Sequence, residues 1–247
     1  MSDSEVVEKG SIINTPVPPK RAKRILFIDR DGVIIKEAPP TYQLDSFSKL
    51  EFYPDMFCYL RKIATEMDFE LVMVTNQDGL GTPSFPEDTF WPVHNVVINS
   101  LQNEAINFSD VFIDRTFPAE QAPTRKPGTG MLTKYLHNPD YDLVNSFVIG
   151  DRVTDMQLAK NIGCKGFWLN NDSTLGAAEV NSTLEDLRKN VIVLESPNWQ
   201  DIYNYLKLPP RIVSHQRNTN ETKISIIVNL DGTGKSIFPC LAIWSSM

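Results

Sequence analysis

A doubly wound, Rossmann-like α/β fold built on a parallel sheet follows from three observations. Short apolar runs alternate with segments of helical periodicity. The runs are almost continuously apolar, as in strands covered on both faces. Polar residues gather where the runs end, the edge at which such sheets bind their ligands. In order, the expected strands are residues 25–29 (ILFID), 71–76 (LVMVTN), 111–114 (VFID), 146–151 (SFVIGD) and 166–170 (GFWLN). Pro54 opens a helical segment that places Met56, Leu60, Ile63 and Met67 on one face. Ser84-Phe85-Pro86-Glu87 has the Ser-x-x-Glu form of a capping box and introduces Phe90, His94, Val97 and Leu101 at helical spacing. In that row His94 reads as a packing or rim residue. A helix over about 152–162 should stop at Gly163, another should follow Arg125-Lys126-Pro127, and residues 198–210 (NWQDIYNYLKLPP) read as a closing amphipathic helix ended by its proline pair.

The composition narrows the function. With 247 residues and 41% hydrophobic content, the chain can bury a real core. A net charge of −7 argues against a nucleic-acid partner, although Lys20, Arg21, Lys23 and Arg24 form a small basic approach to the first strand. Cys58, Cys164 and Cys240 are far apart and include no Cys-x-x-Cys pair, which predicts reduced thiols and a cytoplasmic location. No apolar run is long enough for a membrane span, and the polar, acidic residues 1–23 are expected to be a disordered leader.

The informative residues lie at the strand ends. Asp29 and Asp31 close the first run, Thr75-Asn76-Gln77 the second, and Asp151 follows Gly150. Two carboxylates one residue apart repel and are costly to desolvate, so they point to a metal or cationic group between them, or to an Asp-Gly turn with a solvated partner. Arg125-Lys126 can supply the cation for an anionic substrate. Asp151 and Asp155 also suit a helix N-terminus, where carboxylates favour the dipole.

Four short motifs in this order resemble the haloacid-dehalogenase superfamily of phosphatases: Asp29-Arg30-Asp31-Gly32-Val33, Thr75, Lys126, and Gly150-Asp151 with Asp155. The resemblance spans about residues 24–209, one phosphatase domain of the capless type. It implies that Asp29 attacks phosphorus, and that Asp31 protonates the leaving group and then activates water while turning its backbone carbonyl to the metal. It also implies that Asp29, Asp31 and Asp151 bind Mg²⁺, that Thr75 and Lys126 hold phosphate oxygens beside Asn76, and that Asp155 orients Lys126 or the metal loop.

Two longer segments, Thr75-Asn76-Gln77-Asp78-Gly79-Leu80-Gly81 and the stretch FPAEQAPTRKP before VIGDRVTD, resemble the histidinol-phosphatase domain of the bifunctional histidine-biosynthesis enzyme. Histidinol phosphate is then the expected small phosphorylated substrate, with Gln77 and Asp78 near its amine-imidazole end. Capless sugar-bisphosphate phosphatases and a non-catalytic scaffold are the alternatives. Oligomeric state is left open.

Two departures from that family matter. Its zinc-holding loop of cysteines and histidine is replaced here by Asp114, Thr116, Ala122 and Thr124, so no structural zinc is expected and the loop should be ordered by packing of Phe117, Pro118 and Pro123. Residues 210–247 resemble the start of imidazoleglycerol-phosphate dehydratase, with Arg217 to Ile224 as its first strand, alternation over Ile224, Ile226, Val228 and Leu230, and a turn at Asp231-Gly232. The Asp and His of that family are Ser245 and Ser246 here, so dehydratase activity is expected to be absent. Gly232 to Ser236 lacks the glycine spacing of a phosphate loop.

Overall fold

The structure is a computed structural model that describes residues 22–169, 174–208, 212–219 and 223–229. Expectations for the leader, for Asp231-Gly232 and for the segment after it lie outside the described residues. Six parallel strands form the main sheet: β1 (Arg24–Ile28), β2 (Phe69–Asn76), β3 (Asp110–Asp114), β4 (Phe147–Gly150), β5 (Lys165–Trp168) and β6 (Ile192–Glu195). Their order is β3-β2-β1-β4-β5-β6, so the chain winds outward in both directions from β1. The resulting switch point, between β1 and β4, is where a doubly wound sheet opens a crevice.

Period-two alternation divides β1 between two cores. Leu26 and Ile28 join Leu71, Met73, Ile149 and Phe167 under α1 (Met56–Glu66), α2 (Glu87–Asn103) and α5 (Trp199–Lys207). Ile25 and Phe27 join Val72, Val74 and Val148 under α3 (Val153–Ile162) and α4 (Leu184–Asn190). Both faces of the sheet are therefore covered, as the apolar runs require.

Several local expectations are corrected. Ser84 does not cap α2: Pro86 holds the N-cap position, no side chain caps it, and the Ser84 hydroxyl instead bonds that of Thr82 at 2.8 Å. Only a short 3-10 turn, Gly130–Leu132, follows Arg125-Lys126-Pro127, because Gly128 and Gly130 fold back so that the Gly130 N–H donates to the Pro123 carbonyl. The stretch Arg217 to Ile224 is not one strand. It contains the end of β7 (Ile212–Asn218) and the start of β8 (Lys223–Asn229), which pair antiparallel from Ile212↔Asn229 to Asn218↔Lys223. Ile224, Ile226 and Val228 are exposed on β8, as the alternation predicts for one face.

Candidate active site

The ends of β1, β2 and β4 place the polar residues. Asp29 continues β1 and donates its N–H to the Ile149 carbonyl of β4 at 2.9 Å, which clamps the backbone at the switch point. The Asp29 carboxylate is used at both oxygens: Oδ1 accepts the Arg30 N–H at 2.7 Å, and Oδ2 lies 2.7 Å from Lys126 Nζ. Lys126 Nζ also sits 2.8 Å from Asp155 Oδ1. All three side chains are buried, a costly arrangement for charges unless they are paired. Burial, opposed by Lys126, raises the Asp29 carboxyl to about 7. Lys126 is raised despite its burial, by Asp155 and Asp29.

Asp151 lies against the same cluster. Oxygens of Asp29, Asp151 and Asp155 all fall within 4.8 Å of one another. Burial and then Asp29 push the Asp151 carboxyl well above its usual range. Its Oδ1 is buried without a hydrogen-bond partner, while its backbone carbonyl accepts Trp168 Nε1–H at 2.7 Å. A hard divalent cation suits an all-oxygen donor set with an orphaned acceptor, and the four aspartates here outnumber the three neighbouring cations, Lys126, Arg30 and Arg152. The Asp31 side chain lies outside this acidic triad. Asp155 makes two contacts at once: Oδ2 accepts the Arg152 N–H at 3.1 Å to close the first turn of α3, while Oδ1 lies 2.8 Å from Lys126 Nζ.

Gly32 and Gly150 make room for this packing. At Gly32, φ is +74° and a Cβ would fall 2.1 Å from Asp151 Oδ2; at Gly150 it would fall 2.1 Å from the Asp155 Cβ. Gly32→Ala is expected to cost about 1–3 kcal/mol through the left-handed backbone and to displace Asp151. A urea melt, together with loss of any cation-dependent stabilisation, checks this.

β2 supplies two functions from consecutive residues. Asn76 clasps the Lys126 backbone, accepting its N–H at 3.0 Å and donating to its carbonyl at 3.2 Å. Gln77 faces the other way, donating Nε2–H to Asp31 Oδ2 at 2.6 Å and to Thr75 Oγ1 at 2.7 Å. Thr75 Oγ1 is 3.4 Å from Asp31 Oδ2. The loop that delivers Lys126 is also tied by polar contacts beyond the expected packing. Asp114 Oδ1 accepts the Thr116 N–H and hydroxyl at 2.9 and 2.5 Å, and its Oδ2 accepts the Thr124 hydroxyl at 2.5 Å. Three of the four positions expected to hold zinc in the family are thus joined by hydrogen bonds, and Phe117 packs over Gly79.

Above the carboxylates opens a cleft of about 200 Å³ whose wall includes Asp29, Asp31, Asn76, Gln77, Arg125 and Lys126. Thr75 and Asp151 are buried behind it. Arg125 reaches the wall, but its guanidinium is engaged by Asp78 (2.5 Å), Glu179 (2.8 Å) and the Thr116 carbonyl (2.9 Å). Thr41, Tyr42 and Gln43 complete the mouth with Arg152, Thr154 and Glu179. Sequence reasoning missed them. The only local cue is the Pro39-Pro40 loop that carries the first three past the aspartates.

Fold and strand-end chemistry together resemble those of haloacid-dehalogenase-like hydrolases. The family described as HAD-hyrolase-like matches residues 123–190, which contain Lys126, Asp151 and Asp155. The chain is 51% identical over 217 residues to the histidine biosynthesis bifunctional protein HisB of Spirosoma linguale, covering 87% of this chain and 56% of that protein. It is 50% identical over 212 residues to the Bacteroides fragilis protein of the same name, covering 86% and 55%. The chain therefore spans about half the length of these curated relatives. Among solved structures, D,D-heptose 1,7-bisphosphate phosphatase from B. bronchiseptica, complexed with magnesium and phosphate, shares the fold: TM-score 0.60, 20% identity, 74% of this chain and 97% of that one.

Proposed function

We propose that the chain is a magnesium-dependent phosphomonoesterase acting through an aspartyl-phosphate, with histidinol phosphate as its substrate and the cytoplasm as its location. The observation that carries this is the strand-end cluster, in which a buried aspartate faces a cleft, paired to a lysine and flanked by two more buried carboxylates. Among the described residues no helix is long and apolar enough to cross a membrane, which suits a dissolved substrate.

Phosphate monoesters resist hydrolysis, so the site must align a nucleophile and neutralise charge. An Asp29 carboxylate oxygen forms the bond to phosphorus as the ester P–O bond breaks. Asp31 gives its proton to the departing alkoxide, then takes one from the water that cleaves the acyl phosphate and releases Asp29. Lys126 and Thr75 hold peripheral phosphate oxygens, and Asn76 fixes Lys126 through its backbone. Mg²⁺, held by Asp29, Asp151 and the Asp31 backbone carbonyl, would supply electrostatic stabilisation of the transferring phosphoryl group.

The monophosphate reading is favoured over a bisphosphate because the arginines of the cleft wall are spent. Arg125 is taken by Asp78 and Glu179, and Arg152 by Glu37. A second phosphate would have to displace one of these pairs. Phosphate release from a panel of monoesters and bisphosphates, with and without Mg²⁺, tests the proposal. Fast, magnesium-dependent release from histidinol phosphate is expected, and equal or better turnover of a sugar bisphosphate would refute the assignment. Saturating Mg²⁺ should also raise Tm by several degrees, since a ligand at 100 times its Kd adds about 2.7 kcal/mol, and Asp151→Asn should abolish the rise.

A further inference from the structure

Arg30 is the residue between the two aspartates of the first motif, and its side chain is fully buried. Burying a guanidinium is costly unless its donors are matched, and here four of the five N–H groups meet partners. Nε donates to Asp31 Oδ2 at 3.2 Å and Nη2 to Asp31 Oδ1 at 3.0 Å, a two-point fork on one carboxylate. Nη2 also reaches Gln77 Oε1 at 2.9 Å, and Nη1 donates to His94 Nδ1 at 3.3 Å. The guanidinium carbon stands 4.9 Å from the Phe90 ring centre. His94 stacks on that ring, 5.1 Å away and 17° from parallel. Burial and then the Arg30 charge lower His94 to about 4, so its ring stays neutral and keeps an acceptor nitrogen for Arg30.

A carboxylate on a single methylene can turn about two bonds. Two-point pairing to a planar guanidinium removes that freedom and sets the plane of the group. Through its backbone N–H the same residue holds Asp29 Oδ1, so Arg30 grips both aspartates at once. Its own side chain is fixed in turn from α2, one helical turn of which presents Phe90 and His94. Gln77 closes the frame, with its oxygen toward Arg30 and its amide toward Asp31.

We infer that Arg30 is a positioning residue for proton transfer: it aims the Asp31 carboxyl at the leaving-group oxygen, and His94 with Phe90 holds Arg30 in place. The inference rests on the proton-transfer role of Asp31 given under the proposed function. It requires that loss of the fork harm substrates in proportion to their need for a proton.

That need can be varied independently. An alkyl monoester releases an alkoxide that must be protonated, whereas p-nitrophenyl phosphate releases a phenolate that leaves unaided. The kcat/KM value covers only steps through the first irreversible one, loss of the leaving group, so it excludes the later hydrolysis. Arg30→Lys, which keeps the charge and loses the fork, is expected to lower kcat/KM for histidinol phosphate by about 100-fold, the low end of general-acid contributions. For p-nitrophenyl phosphate the loss should stay within about 3-fold, well below that range. Asp31→Asn is the reference and should show the same split, more strongly.

His94→Phe keeps the stacked ring and removes only the acceptor, and should show a weaker split in the same direction. It carries the test if Arg30→Lys fails to fold by circular dichroism. Equal losses on the two esters in the folded Arg30 or His94 variant would reduce Arg30 to a structural residue and overturn the inference. If Asp31→Asn shows no split, the proton-transfer role of Asp31 falls first and the inference falls with it. A split in Asp31→Asn that is missing from the other variants rejects the inference alone.

Discussion

Asp29→Asn is expected to reduce turnover by at least about 10⁴-fold, to the level left by charge neutralisation and binding alone. The amide has the size of the carboxylate and can still accept the Arg30 N–H, so the backbone clamp to Ile149 should persist. It is a poor nucleophile toward phosphorus. Rapid-quench labelling with a radioactive monoester should find phosphoenzyme in the parent protein and none in the variant. Labelled Asp29→Asn protein would transfer the nucleophile role elsewhere and end the aspartyl-phosphate mechanism for this site.

Lys126→Met should affect both stability and rate. Nζ lies 2.7 and 2.8 Å from two buried carboxylates, and removing one partner of such a group costs about 3–5 kcal/mol. The pH dependence gives the sign. In the metal-free parent, the folded Asp29 carboxyl titrates at about 7 against an ordinary value of 3.8, chiefly through burial. The native state therefore holds the proton more tightly than the unfolded chain between those values, and stability falls as pH rises through that window. Lys126 opposes the shift, so deleting it should push Asp29 higher and extend the loss to higher pH. Urea melts in chelator at pH 5 and pH 8 should show the variant nearer its parent at pH 5. Turnover should fall about 10²- to 10³-fold, as when an electrostatic donor to the transition state is removed. A variant equally destabilised at both pH values would show that Lys126 does not compensate Asp29.

What was legible in the sequence follows from how each feature is encoded. β1, β2 and β4 announced themselves as apolar runs, because burial on both faces leaves little room for polar residues. β6 and α4 were not read. β6 is an edge strand, half-buried over Ile192–Leu194, and the seven residues of α4 bury only Leu187, so neither has a strong period. The Ser84 box failed because the hydroxyl found a closer partner in Thr82. Arg30 was invisible for a different reason. Beside two aspartates it reads as a solvated counterion, and what buries it is a helix that starts more than fifty residues later. Asn76 and Arg125 were expected at the substrate, yet their hydrogen bonds go to the Lys126 backbone and to Asp78 and Glu179. Residue type pointed to one crevice, and tertiary contacts divide the hydrogen bonds among the residues gathered there.

The alternating orientation at the end of β2 makes this site unusually sensitive to insertions and deletions. Thr75 and Gln77 turn toward Asp31, and Asn76 toward Lys126. A conservative exchange at Val72 or Val74 would change packing volume locally. A single-codon deletion between Phe69 and Val74 would instead rotate the whole tripeptide by half a turn about the strand, presenting an amide to the wrong aspartate and stripping the lysine of its clasp. Such a frame-preserving lesion would be catalytically silent in a protein that still folds, so length polymorphism in this strand would mark a lost activity where substitutions would not.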